Sequence, residues 1–227
     1  MSVRLAPLCS AAAAALALAA PVSDAAWAQP APATTPAAAV RVQLNTIMGA
    51  IVIELDRARA PVTTANFLRY VDQKRFDGTV FYRAMRLGTD EAGNPRGLIQ
   101  GGTQNDPKRI LKPIAHEPTD KTGIGHLEGP ISMARWAPGT ATGDFSILLS
   151  PMPSLDANPA GTGDKAGYAA FGRVVEGMDV VRRIHGSPIS PTLGEGHMRG
   201  QMLAAPVRIV TARRVPAPPA DQNKLAP

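Results

Sequence analysis

Thr79-Val80-Phe81-Tyr82-Arg83 and, beyond an insert containing glycine, asparagine and proline, Gly97-Leu98-Ile99-Gln100-Gly101-Gly102 decide how this chain is read. Each is an apolar run of strand length bounded by glycine. A third run, Gly129-Pro130-Ile131-Ser132-Met133-Ala134-Arg135, has the same character. An arginine leaves the first strand, a glutamine sits on the second, and the third offers the small Ala134 where a ligand can press against backbone. Gly101 and Gly102 let backbone pass close by. One fixed cation, one polar clamp and an apolar slot are the parts of a cleft that holds a chain without attacking it.

The flanking sequence supplies more strands. Val40, Val42 and Leu44, then Ile51, Ile53 and Leu55, alternate with other residues across a turn at Thr46 to Gly49, which predicts a hairpin with one buried face. Pro61 pre-sets a helix start, Thr63 and Thr64 are candidate caps, and Phe67, Leu68 and Val71 form an apolar stripe at helical spacing. Gly78 ends that region. Strands are expected at Thr79–Met85, Gly97–Gly101, Gly129–Ala134, Asp144–Leu149, Ala169–Val175 and Pro206–Val215, with a second helix over Met178–Ile184. Many short strands joined by Gly/Pro turns, plus two helices, predict a mainly β fold: a closed antiparallel barrel with a helix at each mouth.

The chain has 227 residues, one cysteine and a net charge of +6. Arg4, the apolar run Leu5 to Ala20 and the small-x-small site Ala26-Trp27-Ala28 read as an export signal over residues 1–28, cleaved after Ala28. The run is shorter than the ~20 residues a membrane span needs, so no stable membrane insertion is expected. Cys9 precedes most of the run and leaves with it, so the mature chain carries no thiol and needs no disulfide. Residues 29–39 read as a disordered Ala/Pro linker, residues 40–215 as one domain and residues 216–227 as a disordered tail. The basic residues are scattered rather than blocked, which argues against a nucleic-acid partner. His116, His126, His185 and His197 lack metal-ligand spacing, and His116-Glu117 reads as a structural pair on a loop. Asp144 and Ser146 share a strand face, with no histidine placed by spacing to complete a triad.

In order along residues 40–215, these motifs resemble the cyclophilins, a family of peptidyl-prolyl cis/trans isomerases. Ala60-Pro-Val-Thr-Thr-Ala-Asn66-Phe67 resembles the first helix of that family; Gly167-Tyr168-Ala-Ala-Phe171-Gly172-Arg173-Val174 and Gly177-Met178-Asp179-Val180-Val181 resemble its late strand and second helix. The resemblance implies an eight-stranded cyclophilin-like barrel capped by two helices, isomerase activity, and no cofactor or metal. It implies Arg83 as the catalytic arginine and Gln100 as the residue that touches substrate backbone and helps hold the arginine. Tyr82, Leu98, Met133, Ala134, Arg135, Phe145, Ser146, Leu155 and Tyr168 fall at or beside substrate-binding positions. Phe145 matches a buried phenylalanine behind the pocket.

The departures concern the slot. Gly97 stands where the family usually has a pocket phenylalanine, Ser146 replaces the second phenylalanine of a Phe-Phe pair, and Ser154 precedes Leu155-Asp156 where an aromatic is usual. The insert from Arg86 to Arg96 is a candidate replacement wall. The export signal and the resemblance together predict a bacterial, periplasmic, monomeric isomerase acting on unfolded or loop X-Pro segments of exported proteins. The alternative is a weakly active or inactive chaperone that binds proline-containing chains.

Overall fold

The computed structural model describes residues 40–127 and 129–217. The expected export signal, the linker and all but the first two residues of the tail lie outside the described residues. Eight strands, β1 (Val40–Thr46), β2 (Gly49–Leu55), β3 (Val80–Thr89), β4 (Pro95–Gly102), β5 (Pro130–Met133), β6 (Phe145–Leu148), β7 (Ala170–Glu176) and β8 (Met202–Val215), close into a barrel. The order around it is β1-β2-β7-β5-β6-β4-β3-β8, and every pairing, including that of β8 back to β1, is antiparallel. Closure leaves no unpaired edge along the sheet.

Alternation fills the barrel. Val42, Leu44, Ile51, Ile53, Ile99, Ile131, Ile147 and Ile209 are fully buried inside. The chain has five phenylalanines, and all five are 0% exposed. Phe67 lies 5.0 Å from Phe76, 5.3 Å from Phe145 and 5.4 Å from Phe171, while Phe81 lies 5.8 Å from Phe145, ring centre to ring centre. Phe67 enters this cluster from helix α1 (Pro61–Asp72). Truncating it to alanine would empty the middle of the core, at a cost of about 3–5 kcal/mol.

Pro61 stands in the first turn of α1, but Thr63 and Thr64 do not cap it. Both lie inside the helix and are 0% exposed. The free N–H groups of the first turn go instead to Glu117, whose carboxylate accepts from Val62 (3.0 Å) and Thr63 (2.7 Å). A negative charge at a helix N-terminus is favourable there for the additional reason of the helix dipole. Asn66 donates to the Thr142 carbonyl at 2.7 Å, tying α1 to the loop before β6. A short helix α2 (Thr119–Thr122) follows Glu117. Helix α3 (Met178–Gly186) packs Val180, Val181 and Ile184 into the core.

Strands β3 and β4 run further than expected, to Thr89 and from Pro95, so the Arg86–Arg96 insert is a lengthened hairpin closed by an Asp90–Asn94 turn. Arg86 donates to the carbonyls of His185 and Ser187 at the C-terminal end of α3. The hairpin is held on that side of the molecule.

Candidate active site

The register of β3 explains how two consecutive side chains face the same cleft. Phe81 pairs with Gly101, and the next pair is Arg83 with Gln100, so Tyr82 is an extra residue in β3. A bulge of this kind breaks the in-out alternation and re-aims side chains. Tyr82 and Arg83 both line a cleft of about 600 Å³ on the outer wall of the barrel. Pairing then carries a polar row across four strands: Arg83 opposite Gln100, Gln100 opposite Ser146, Ser146 opposite Ser132. All four residues line the cleft.

A hydrogen-bonded chain fixes the row. The Gln100 carboxamide oxygen accepts from Arg83 Nη1 at 2.7 Å, and its nitrogen donates to the Tyr82 hydroxyl at 2.8 Å. That hydroxyl donates to Asp144 at 3.4 Å. Asp144 in turn accepts backbone N–H groups from Gln104 (2.8 Å) and Asn105 (3.2 Å), both of which adopt positive φ. Burial pushes the Asp144 carboxyl above its ordinary value, against the pull of those N–H groups, and burial likewise pushes the Tyr82 phenol up. On the other side of Arg83, Gln201 Oε1 accepts from Nε (2.9 Å) and Nη2 (2.7 Å). Burial lowers the pKa of Arg83 from its ordinary value, and a guanidinium still keeps its proton in water. Its amide partners are neutral, so the charge is fixed in place and left uncompensated.

The walls are aliphatic and sulfur-rich. Leu98, Met133, Ala134, Leu155 and Tyr168 line the cleft, joined by Met85, Met198 and Met202. No residue from 86 to 96 lines it, so the insert is not the replacement wall; its hairpin is bound to α3 instead. Trp136, 72% exposed, stands on the rim. Phe145 does not reach the cleft: it faces inward, 0% exposed, while its neighbour Ser146 faces out. Gly97 explains its own lack of an aromatic. It has φ +134, and a Cβ there would collide with the Met85 carbonyl. Ser154 is exposed and lines nothing.

Arg135 lines the cleft too, but its guanidinium is tied to the loop beside it. Its guanidinium lies 4.7 Å from the centre of the Tyr168 ring and donates to the Gly167 carbonyl and, at 2.6 Å, to Asp164. It props the loop that brings Tyr168 to the cleft. Opposite, a buried Ser-His-Asp chain does occur, among residues that spacing did not connect. His126 Nδ1 lies 2.6 Å from Asp156, and Nε2 lies 2.8 Å from Ser132 Oγ. Burial lowers the pKa of His126, against the pull of Asp156, and the Asp156 carboxylate beside Nδ1 suits a ring that donates there and accepts the Ser132 hydroxyl at Nε2. Ser132 is only 2% exposed within a paired strand. This chain fastens the Leu155 turn to β5.

Sequence reading missed Gln201, Met85, Met198, Met202 and Trp136. The one signal for the middle group was the clustering of His197, Met198, Gln201 and Met202 in an otherwise Gly/Pro-rich stretch.

Residues 39–213 match the family described as cyclophilin type peptidyl-prolyl cis-trans isomerase/CLD. The chain belongs to the cyclophilin family. A peptidyl-prolyl cis-trans isomerase of Acinetobacter baylyi is 34% identical over 176 residues, 76% of this chain and 84% of the relative. The isomerase cyp18 of Streptomyces antibioticus is 38% identical over 149 residues, 64% of this chain and 82% of the relative. A crystal structure of a cyclophilin type isomerase from Cryptosporidium parvum superposes with a TM-score of 0.62 at 18% identity, covering 79% of this chain and 99% of that one. At that identity the likeness concerns the fold: a closed eight-stranded antiparallel barrel. Peptidyl-prolyl cis-trans isomerisation, the activity for which the curated cyclophilin relatives are named, is the activity of this enzyme.

Proposed function

We propose that this cyclophilin accelerates X-Pro rotation in unfolded or loop segments of exported proteins, as a periplasmic monomer, with Arg83 as the catalytic group. The single observation that carries the catalytic part is the Arg83 guanidinium held between two neutral glutamines over an apolar cleft. An X-Pro bond resists rotation because its nitrogen shares a lone pair with the carbonyl, a barrier of roughly 18–20 kcal/mol. Twisting breaks that sharing, and the nitrogen becomes pyramidal and basic. A donor aimed at it acts only in the twisted state, so it lowers the barrier rather than merely holding substrate. Arg83 supplies that donor and Gln100 clamps the substrate backbone. Leu98, Met133, Ala134 and Leu155 receive the ring, and Tyr168 bounds the cleft beside them. No proton or electron changes hands, so the step requires no cofactor or metal. Support for export comes from Arg4, the apolar run and Ala26-Trp27-Ala28.

The test is isomerisation of a short X-Pro peptide, followed by protease coupling or by exchange spectroscopy. Acceleration over the uncatalysed rate is expected; a folded protein that gave none would overturn the catalytic reading. A second reading, a holder of proline-containing chains with little turnover, is favoured by one observation: every phenylalanine is in the core, and the cleft floor opposite Gln100 is Ser146. Peptide binding without turnover in that same assay would select it.

A further inference from the structure

Arg83 leaves its strand at a bulge, on a long side chain with many rotamers. A single bond from Nη1 to Gln100 anchors one corner of the guanidinium and leaves its plane free to swing. Gln201 removes that freedom. Its Oε1 accepts from Nε and Nη2 together, which defines the plane as well as the position of the fork.

Gln201 is itself a built part. Its carboxamide nitrogen donates to the His197 carbonyl at 2.8 Å, so the oxygen is turned towards Arg83. Its backbone N–H donates to Met198 (3.0 Å), and its carbonyl accepts from Ala84 (2.9 Å), the residue after Arg83. The next residue, Met202, pairs directly with Arg83 in the sheet. A neutral acceptor in this place orients the cation without cancelling its charge, as a carboxylate would. Of the five N–H groups of an arginine, three are committed to Gln100 and Gln201. One on each terminal nitrogen is left for a ligand, with the Met85 sulfur 3.8 Å from Nη2.

We propose that Gln201 is a positioning residue of the isomerase: it sets the plane in which Arg83 presents its two remaining N–H groups to the substrate. The proposal rests on Arg83 being the group that donates to the twisted proline nitrogen. It assigns a role to the stretch after α3, where Met198 and Met202 also line the cleft.

The experiment is a double-mutant cycle on the full domain with an X-Pro peptide. Gln201→Ala is expected to lower kcat by about three- to thirty-fold through loss of alignment, with KM within about twofold. In an Arg83→Ala background the same substitution is expected to change nothing further. In the nitrogen-proton spectrum of the wild type, Arg83 Nε–H should give a resolved, exchange-protected signal that disappears in Gln201→Ala and persists in Gln201→Glu, which keeps an acceptor. An equal loss of rate in both backgrounds would overturn the proposal, as would an unchanged kcat or an unchanged Nε–H signal in Gln201→Ala. An unchanged rate in Arg83→Ala alone would instead remove the underlying reading of Arg83, and this proposal with it. Should the alanine variant fail to fold, Gln201→Met, of matching length without the acceptor, carries the same comparison.

Discussion

In the proposed mechanism Arg83 works by being charged, fixed and uncompensated, and each property has its own test. Arg83→Ala should reduce turnover about ten- to a thousand-fold, roughly 1.4–4 kcal/mol of barrier, with an unchanged circular dichroism spectrum because no core volume is lost. Arg83→Lys should rescue poorly, since an ammonium cannot bridge Gln100 and Gln201 with one planar fork. A folded Arg83→Ala enzyme of normal speed would take Arg83 out of the mechanism. Ser146 concerns the slot. Ser146→Phe places a ring on the cleft floor opposite Gln100, adding apolar contact worth about 1–3 kcal/mol, and should tighten proline-peptide binding. Affinity unchanged or weakened would show that the methionine wall already fills that space. Gly97→Phe, by contrast, should destabilise the fold, because a side chain there meets the Met85 carbonyl. Arg83 and Gln100 were singled out through the family resemblance, since an arginine at a strand end otherwise reads as a surface residue; the structure brings the two together at 2.7 Å. Phe145 is buried behind the cleft, as its match to the buried phenylalanine of the family implied, and its neighbour Ser146 faces the cleft. Nothing in the sequence tied Gln201 to Arg83, 118 residues away in irregular chain.

At the scale of elements, most strand bounds were readable to within two residues, and the end of β3 and the start of β8 were not. β3 runs past Met85 to Thr89 and β8 begins at Met202 rather than Pro206, because bulges and an extended hairpin carry pairing through residues that lack alternation. The start of α1 followed from Pro61; its cap did not, since Glu117 reaches it from 54 residues away. The turn between α1 and β3 is tied down through Asp77, which accepts from the Ala212 N–H (3.1 Å) and from Arg213 Nη1 (2.8 Å) and Nη2 (2.7 Å). Its hydrogen bond from Arg213 is the main reason that its carboxyl sits below the usual 3.8. A depressed carboxyl contributes stability above its unfolded value and loses it as pH falls through the folded one. Asp77→Asn should therefore melt below wild type at pH 7, and the gap should close under acid, below about pH 3.8. A gap of the same size at neutral and acid pH would mean that the ion pair contributes nothing.

For the whole molecule, barrel closure was legible because many short strands with Gly/Pro punctuation have few other ways to hide their edges. The allocation of aromatics was not. Sequence shows five phenylalanines but not that the core takes all five, which leaves methionine and leucine to build the cleft. Export is a prediction at this scale. The mature chain should begin at Gln29 and appear in the soluble envelope fraction; Edman sequencing that found Met1 on a membrane-bound species would refute it. The last consequence belongs to time rather than space. β8 pairs with β1 on one side and β3 on the other, so the barrel closes only when the last strand arrives. A ribosome or a translocation channel releases the chain from its N-terminus, and until Met202–Val215 emerges neither the closed barrel nor the Gln201 grip on Arg83 can exist. The barrel therefore stays unclosed until its last strand is free, and closure and the Gln201 grip on Arg83 form in the same late event.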